Sequence, residues 1–200
     1  MGDATSTLNQ RIAERVRELR GAHALSLDAL AAKTGVSRSM ISVIERGESS
    51  PTAAVLDKLA AGLGVPLASL FDAPSADAMK PVGPVARRED QPEWEDPASR
   101  YRRRNVSPAG VPQPMQIVEV CFPAGRRVAF EAAVREMRVY QQVWVLEGAM
   151  EITVGDESHR LRQGDCLAMQ LDSSTMFHNP TRRAARYAVV TVCEPPARKR

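Results

Sequence analysis

Side chains able to do covalent or metal chemistry are few and scattered. The 200 residues hold three histidines (His23, His159, His178) and three cysteines (Cys121, Cys166, Cys193), with no His-x-His pair and no CxxC spacing. A transition-metal site gathers several imidazole, thiolate or carboxylate donors, and nucleophilic catalysis sets a Ser or Cys beside a His base. Neither arrangement is recognisable, so the sequence predicts no catalytic residue, no metal and no cofactor. An odd number of irregularly spaced cysteines fits a reducing cytosol rather than a disulfide framework. The remaining polar chemistry belongs to arginines and serines. Arg38, Ser39, Ser42 and Arg46 crowd one short segment, and Arg102, Arg103 and Arg104 form a run supplemented by Arg126 and Arg127. Such a run reads as a solvated face; the alternatives are a supplementary phosphate contact or a seat for an acidic ligand.

Charge and hydropathy narrow the classes. Net charge is +3, distributed as +1 over residues 8–72, −3 over 73–99 and +6 over 100–200, with Asp3 supplying the remaining −1. A weakly basic balance is compatible with nucleic acid but does not establish it. No apolar run approaches the roughly 18–20 residues of a membrane-spanning helix. The start, MGDATSTLNQ, lacks a basic region and an apolar stretch, so a cytoplasmic chain is expected.

The elements change character twice. Over residues 8–72 the pattern is helical. Ile12, Val16 and Leu19 form one apolar stripe, and Ser26, Ser37 and Thr52 each precede an apolar-periodic turn as N-caps. Met40, Ile41 and Ile44 are spaced to face inward, as are Val55, Leu56, Leu59 and Leu63, with Leu67, Leu70 and Phe71 closing the core. Five helices are expected. Residues 73–99, with five prolines, read as a linker with a short strand around Val85. Beyond 100 the segments MQIVEVCF, VYQQVWVLE, AMEITV, DCLAMQL, TMFHNP and RYAVVTVC are short, β-branched or aromatic, and divided by turn residues.

Two helices joined by Thr34-Gly35-Val36-Ser37 have a helix-turn-helix layout, with Gly35 supplying a positive φ and Val36 locking one helix onto the other. The stretch SLDALAAKTGVSRSMISVIERGESSPT resembles the DNA-binding domain of phage-repressor-like (XRE/Cro-type) regulators, through its Ile-Glu-Arg-Gly ending, Pro51 and the capped helix that follows. The resemblance spans about residues 8–72 and implies that Ser37 to Arg46 enters the major groove of double-stranded DNA. By position, Arg38, Ser39 and Val43 would face base edges with Ser42 beside them, while Ser26, Ser37 and Arg46 would meet phosphates. Arg20 and Glu45 match a family ion pair. The competing reading is a solvated helix of a protein-interaction domain. Paired reading heads on a palindromic operator imply a homodimer.

The string VWVLEGAMEITVGDESHRLRQGDCLAMQL resembles two hairpins of a cupin barrel, with Leu146-Glu147-Gly148 and Gly164-Asp165 as its turns. Metal-binding cupins hold an ion with two histidines and a glutamate on the first motif and one histidine on the second. Here Gln141 stands at the carboxylate position and Thr175 at the second histidine. His178 falls on the opposite strand parity and His159 in a polar hairpin. Residues sharing parity with Gln141 are Val143 and Val145, and those sharing it with Thr175 are Phe177 and Asn179. These six would line a metal-free effector pocket for a small organic molecule. Trp144, Tyr140 and Tyr187 read as core or interface aromatics. The expected fold is therefore multidomain. An all-α five-helix helix-turn-helix domain (8–72) and a linker (73–99) precede an all-β cupin-like barrel, a double-stranded β-helix, over 100–195. The expected function is an effector-modulated transcriptional regulator. The rival is a cupin-type metalloenzyme, a dioxygenase or isomerase, with an appended DNA-binding domain.

Overall fold

The computed structural model describes residues 3–71, 83–109 and 114–194, with side chains from Leu8 onward. Its first unit holds α1 (Asp3–Ala22), α2 (Leu27–Thr34), α3 (Arg38–Glu45) and α4 (Ala53–Gly62), closed by a 3-10 turn at Leu67–Phe71. Among the described residues four α-helices and a 3-10 turn stand where five helices were expected, and the last segment, Leu67–Phe71, is a five-residue piece of the tighter turn. The three caps form as read. Ser26, Ser37 and Thr52 Oγ atoms accept from the amides of Ala29, Met40 and Val55. Gly35 adopts φ 68° and returns its N–H to the Ala31 carbonyl, ending α2. Ile12, Val16, Leu30, Ile41, Ile44, Leu56, Leu59 and Leu70 are fully buried, the product of the 3.6-residue periodicity. Met40 departs from it. It lies 43% exposed, one helical step off the face that Ile41, Ile44 and Glu45 bury.

The second unit is built from β1 (Glu93–Glu95), β2 (Arg102–Asn105), β3 (Met115–Phe122), β4 (Arg127–Phe130), β5 (Arg138–Glu147), β6 (Ala149–Val154), β7 (Glu157–Arg162), β8 (Cys166–Gln170), β9 (Thr175–His178) and β10 (Ala185–Glu194). One sheet runs β1-β2-β3-β10-β5-β8 and the other β4-β9-β6-β7, with every pair antiparallel. From β3 onward the chain crosses between the sheets at every connection except the β6–β7 hairpin, the two-sheet crossing pattern of a jelly roll, the architecture cupins share. The β domain is thus two facing sheets rather than one continuously bonded barrel. The segment read as linker contributes β1, and the expected strand near Val85 is absent; Val85 is 58% exposed. Gly148 makes the sharp β5–β6 turn at φ 78°, where a Cβ would stand 3.1 Å from the Ala184 carbonyl oxygen.

The two units dock directly. Asp96 Oδ1 accepts the Ala53 N–H at 2.8 Å, so a buried carboxylate of the β domain supports the start of α4. Asn105 Nδ2 donates to the Ala68 carbonyl at 3.1 Å. Arg135 Nη2 reaches both Asp57 oxygens at 2.9 and 2.7 Å, with both side chains about nine-tenths buried. Lys33–Glu136 and Lys58–Glu131 pairs, at 2.7 and 2.9 Å, flank this bridge on the surface. Lys33 holds the Glu136 carboxyl below its ordinary range. A chain of ring contacts joins Phe71, Trp94, Tyr101, Phe122, Tyr187, Phe177 and Phe130 at centroid spacings of 5.5 to 6.3 Å. It runs from the end of the helical unit into the space between the sheets.

Candidate nucleic-acid interface and interior cavity

The helical unit holds α3 rigidly from behind. Arg20 Nε and Nη2 donate to the two Glu45 oxygens at 2.6 and 2.8 Å, and Nη1 donates to the Leu25 carbonyl at 2.8 Å. Arg17 donates to the Glu45 carbonyl. Glu45 is buried, and its hydrogen bonds raise the pKa of Arg20, keeping the guanidinium charged. A bidentate guanidinium–carboxylate fork fixes orientation as well as distance, so α1 and α3 move as one piece.

The opposite face of α3 is open. Arg38, Ser39, Met40 and Arg46 are exposed, and Ser42 and Val43 half-buried beside them. Arg38 rests 3.2 Å from Asp28, a pair more than three-fifths exposed on both sides and therefore easily exchanged for another acceptor. Arg46 pairs with Glu48 at 2.8 Å, holding that carboxyl below its usual range, and also donates to Ser42. The structure thus brings Arg38, Ser39, Ser42 and Val43 onto one short helix, with Arg46 at its C-cap, Ser37 at its N-cap and Ser26 at the N-cap of α2. Met40 joins this surface, and the sequence reading missed it. Its (i, i+3) relation to Val43 was the available signal.

The β domain encloses a cavity of about 90 Å³ between the sheets. Of the six residues expected there, Gln141, Thr175 and Phe177 line it. Val143 and Val145 are fully buried but do not reach it. Asn179 is buried and committed elsewhere. Its Nδ2 donates to the Phe122 and Arg183 carbonyls and its Oδ1 accepts from Thr181, so it ties loops rather than meeting a ligand. Gln141 Nε2 donates to Thr191 Oγ1 at 3.2 Å across the wall. Tyr187 is a buried wall residue, whereas Trp144 points outward and is 51% exposed, so it is not core. His178 lies on the outer parity, 3.6 Å from Glu151, and His159 is half-buried near Glu157.

The wall also contains polar residues that the sequence reading did not place there. Asp57, Tyr101, Arg103 and Arg135 line the cavity, together with Pro66, Leu67 and Ala68 of the helical unit. The Arg102–Arg104 run is not one solvated face, because strand alternation splits it. Arg102 pairs with Glu93 at 3.1 Å and Arg104 with Glu119 at 2.8 Å, while Arg103 turns inward and is 7% exposed. Burial lowers the Arg103 pKa and pushes that of Tyr101 up to about 12. The signal available in the sequence was the parity of Tyr101, Arg103 and Asn105 along a strand. Among the described residues no set of three or more His, Cys, Asp or Glu side chains is placed to hold a metal ion.

Comparison with known proteins fits this geometry. Residues 16–70 match the family model described as HTH_3, helix-turn-helix. The N-terminal unit is an XRE-type helix-turn-helix domain. Over 177 residues, 82% of this chain and 84% of its relative, the sequence is 27% identical to the HTH-type transcriptional regulator SutR of Escherichia coli (strain K12). An HTH_3 family transcriptional regulator from Vibrio cholerae superimposes with a TM-score of 0.74 at 26% identity, covering 94% of this chain and 98% of that one. The similarity therefore extends across both units. A Cupin_2 domain of an XRE family transcriptional regulator from Enterobacter cloacae overlaps 40% of this chain and 81% of its own at 15% identity, with a TM-score of 0.37. That score is too low for a shared fold to be read from it.

Proposed function

We propose that this chain is a cytoplasmic, sequence-specific DNA-binding transcriptional regulator acting as a homodimer, in which α3 reads the major groove and the cupin-type β domain takes a small-molecule effector. The observation that carries the first half is the exposed, polar face of α3 backed by the Arg20–Glu45 fork inside an XRE-type domain. Arg38 supplies a bidentate donor for guanine O6 and N7, Val43 and Met40 offer apolar contact to a thymine methyl, and Ser26, Ser37 and Arg46 hold phosphates. Two such heads about 34 Å apart engage successive grooves of a palindrome. Among the described residues no helix is long and apolar enough to cross a membrane.

For the effector half, support comes from where the cavity lies. Its wall includes Asp57, Leu67 and Ala68 of the DNA-binding unit, so an occupant touches both domains. A ligand shifts the heads only as far as its affinity differs between their arrangements. The rival enzyme reading needs transition-metal donors at the positions of Gln141 and Thr175, and an amide and a hydroxyl are poor ones. The test is Arg38→Ala on a selected operator. Affinity should fall by about 1–3 kcal/mol with relaxed preference at one base pair. Equal loss on every sequence makes Arg38 a phosphate contact and removes it from base reading.

A further inference from the structure

Arg103 is unusual even for a cavity residue. It is 93% buried on β2, and its Nε has no hydrogen-bond partner. Among the described residues no carboxylate lies within ion-pair distance of it. Its guanidinium carbon sits 4.6 Å from the centre of the Phe71 ring, and Tyr101 is its hydrogen-bonding neighbour. A buried charge without a counter-ion is costly. The nearby Asp57 does not answer it, because both of its oxygens are engaged by Arg135. Arg135 and Asp57 cancel, which leaves one uncompensated positive charge facing the cavity. Glu131, the other carboxylate on the wall, is paired with Lys58 at 2.9 Å. The remaining wall is mixed, with Val118, Val120, Val128, Val139, Phe130 and Phe177 apolar. Gln141, Ser173, Thr175 and Thr191 are polar but uncharged.

We propose that the cavity binds a small organic monoanion, a short-chain carboxylate, with its charged end on the Arg103 guanidinium and its carbon chain against Val139 and Phe177. One unpaired guanidinium calls for one negative charge, and its planar fork matches a carboxylate. The hydroxyls of Tyr101 and Tyr187, both lining the same space, complete a set of donors around the anion. At about 90 Å³ the cavity holds about six water-sized groups, so the carbon chain is short. Neutral effectors would leave the Arg103 charge unanswered, and cations would add to it. Phe71, under the same guanidinium, ends the DNA-binding unit, so the anion draws on a residue that both domains share. This inference rests on the effector reading above and specifies its chemistry.

The experiment uses the full-length chain and three probes of one carbon count: butanoate, butan-1-ol and butylamine. Thermal unfolding and titration calorimetry report binding, and operator affinity is measured alongside. Butanoate should give a saturable rise in Tm, and the alcohol and amine none. Arg103→Met should weaken butanoate binding by at least about 30-fold, the lower end for losing one partner of a buried charge pair. Should the Met variant fail to fold, Arg103→Lys keeps the charge but loses the fork, and a smaller, clear weakening is expected. An equal response to butan-1-ol or to inorganic sulfate, wild-type affinity in the Arg103 variants, or no butanoate binding would each overturn the anion site. Arg103-dependent binding that leaves operator affinity unchanged would uphold the site and overturn the effector reading.

Discussion

The Asp57–Arg135 pair joins the two domains, and removing one partner should be felt by the whole chain. Arg135 Nη2 donates to both carboxylate oxygens at 2.9 and 2.7 Å, the side chains are 9% and 10% exposed, and Arg135 Nε is already without a partner. Asp57→Asn leaves a buried guanidinium uncompensated, which costs about 3–5 kcal/mol. For a chain of this size, at about 2–4 °C per kcal/mol, the Tm should fall on the order of 10 °C. Asp57→Leu with Arg135→Met removes both charges, and that double variant should recover most of the loss, since replacing a buried pair by apolar groups is often neutral. The assay is a double-mutant cycle by denaturant unfolding at neutral pH, followed by two probes because two domains need not unfold together. A single variant within about 0.5 kcal/mol of the parent, the range of an ordinary surface substitution, would refute the reasoning. The bridge would then be open to water, and the domains would not dock through it.

Other outcomes follow from the same geometry. Gly148→Ala forces φ 78° on a residue with a Cβ and brings it 3.1 Å from the Ala184 carbonyl oxygen, so unfolding free energy should drop by about 1–3 kcal/mol, and an unchanged Tm would contradict this. Tyr101, whose pKa burial raises to about 12, binds its proton more tightly folded than unfolded. Its contribution to stability is therefore complete below its ordinary pKa of about 10 and is lost as pH rises from there to about 12. Absorbance at 295 nm checks it: all the tyrosinate signal appearing near pH 10 in the folded chain would overturn the burial of Tyr101.

What the sequence made legible is what local chemistry dictates. Ser26, Ser37, Gly35 and Thr52 announced helix ends because caps are short-range hydrogen bonds. The alternation of β5 and β9 put Val143, Val145, Thr175 and Phe177 inward. Less legible were strands without an apolar face. Arg102–Asn105 and Glu157–Arg162 are polar, and only pairing with neighbours makes them strands. Arg103 was read as part of a surface run because burying an arginine opposes its intrinsic preference; only tertiary structure shows Phe71 and Tyr101 around it. Asp57 and Arg135 are 78 residues apart, and no local signal joins them. Asn179 shared the inward parity but was spent on loop carbonyls that the strand pattern does not reveal.

The central claim is that α3 reads DNA as one of a symmetric pair. Selection of random duplexes by the purified full-length chain tests it most directly. The account predicts enrichment of an inverted repeat whose half-sites lie one helical turn apart, about 34 Å centre to centre. Recovery of unenriched DNA, or of an unrepeated site bound by a single chain, would contradict it.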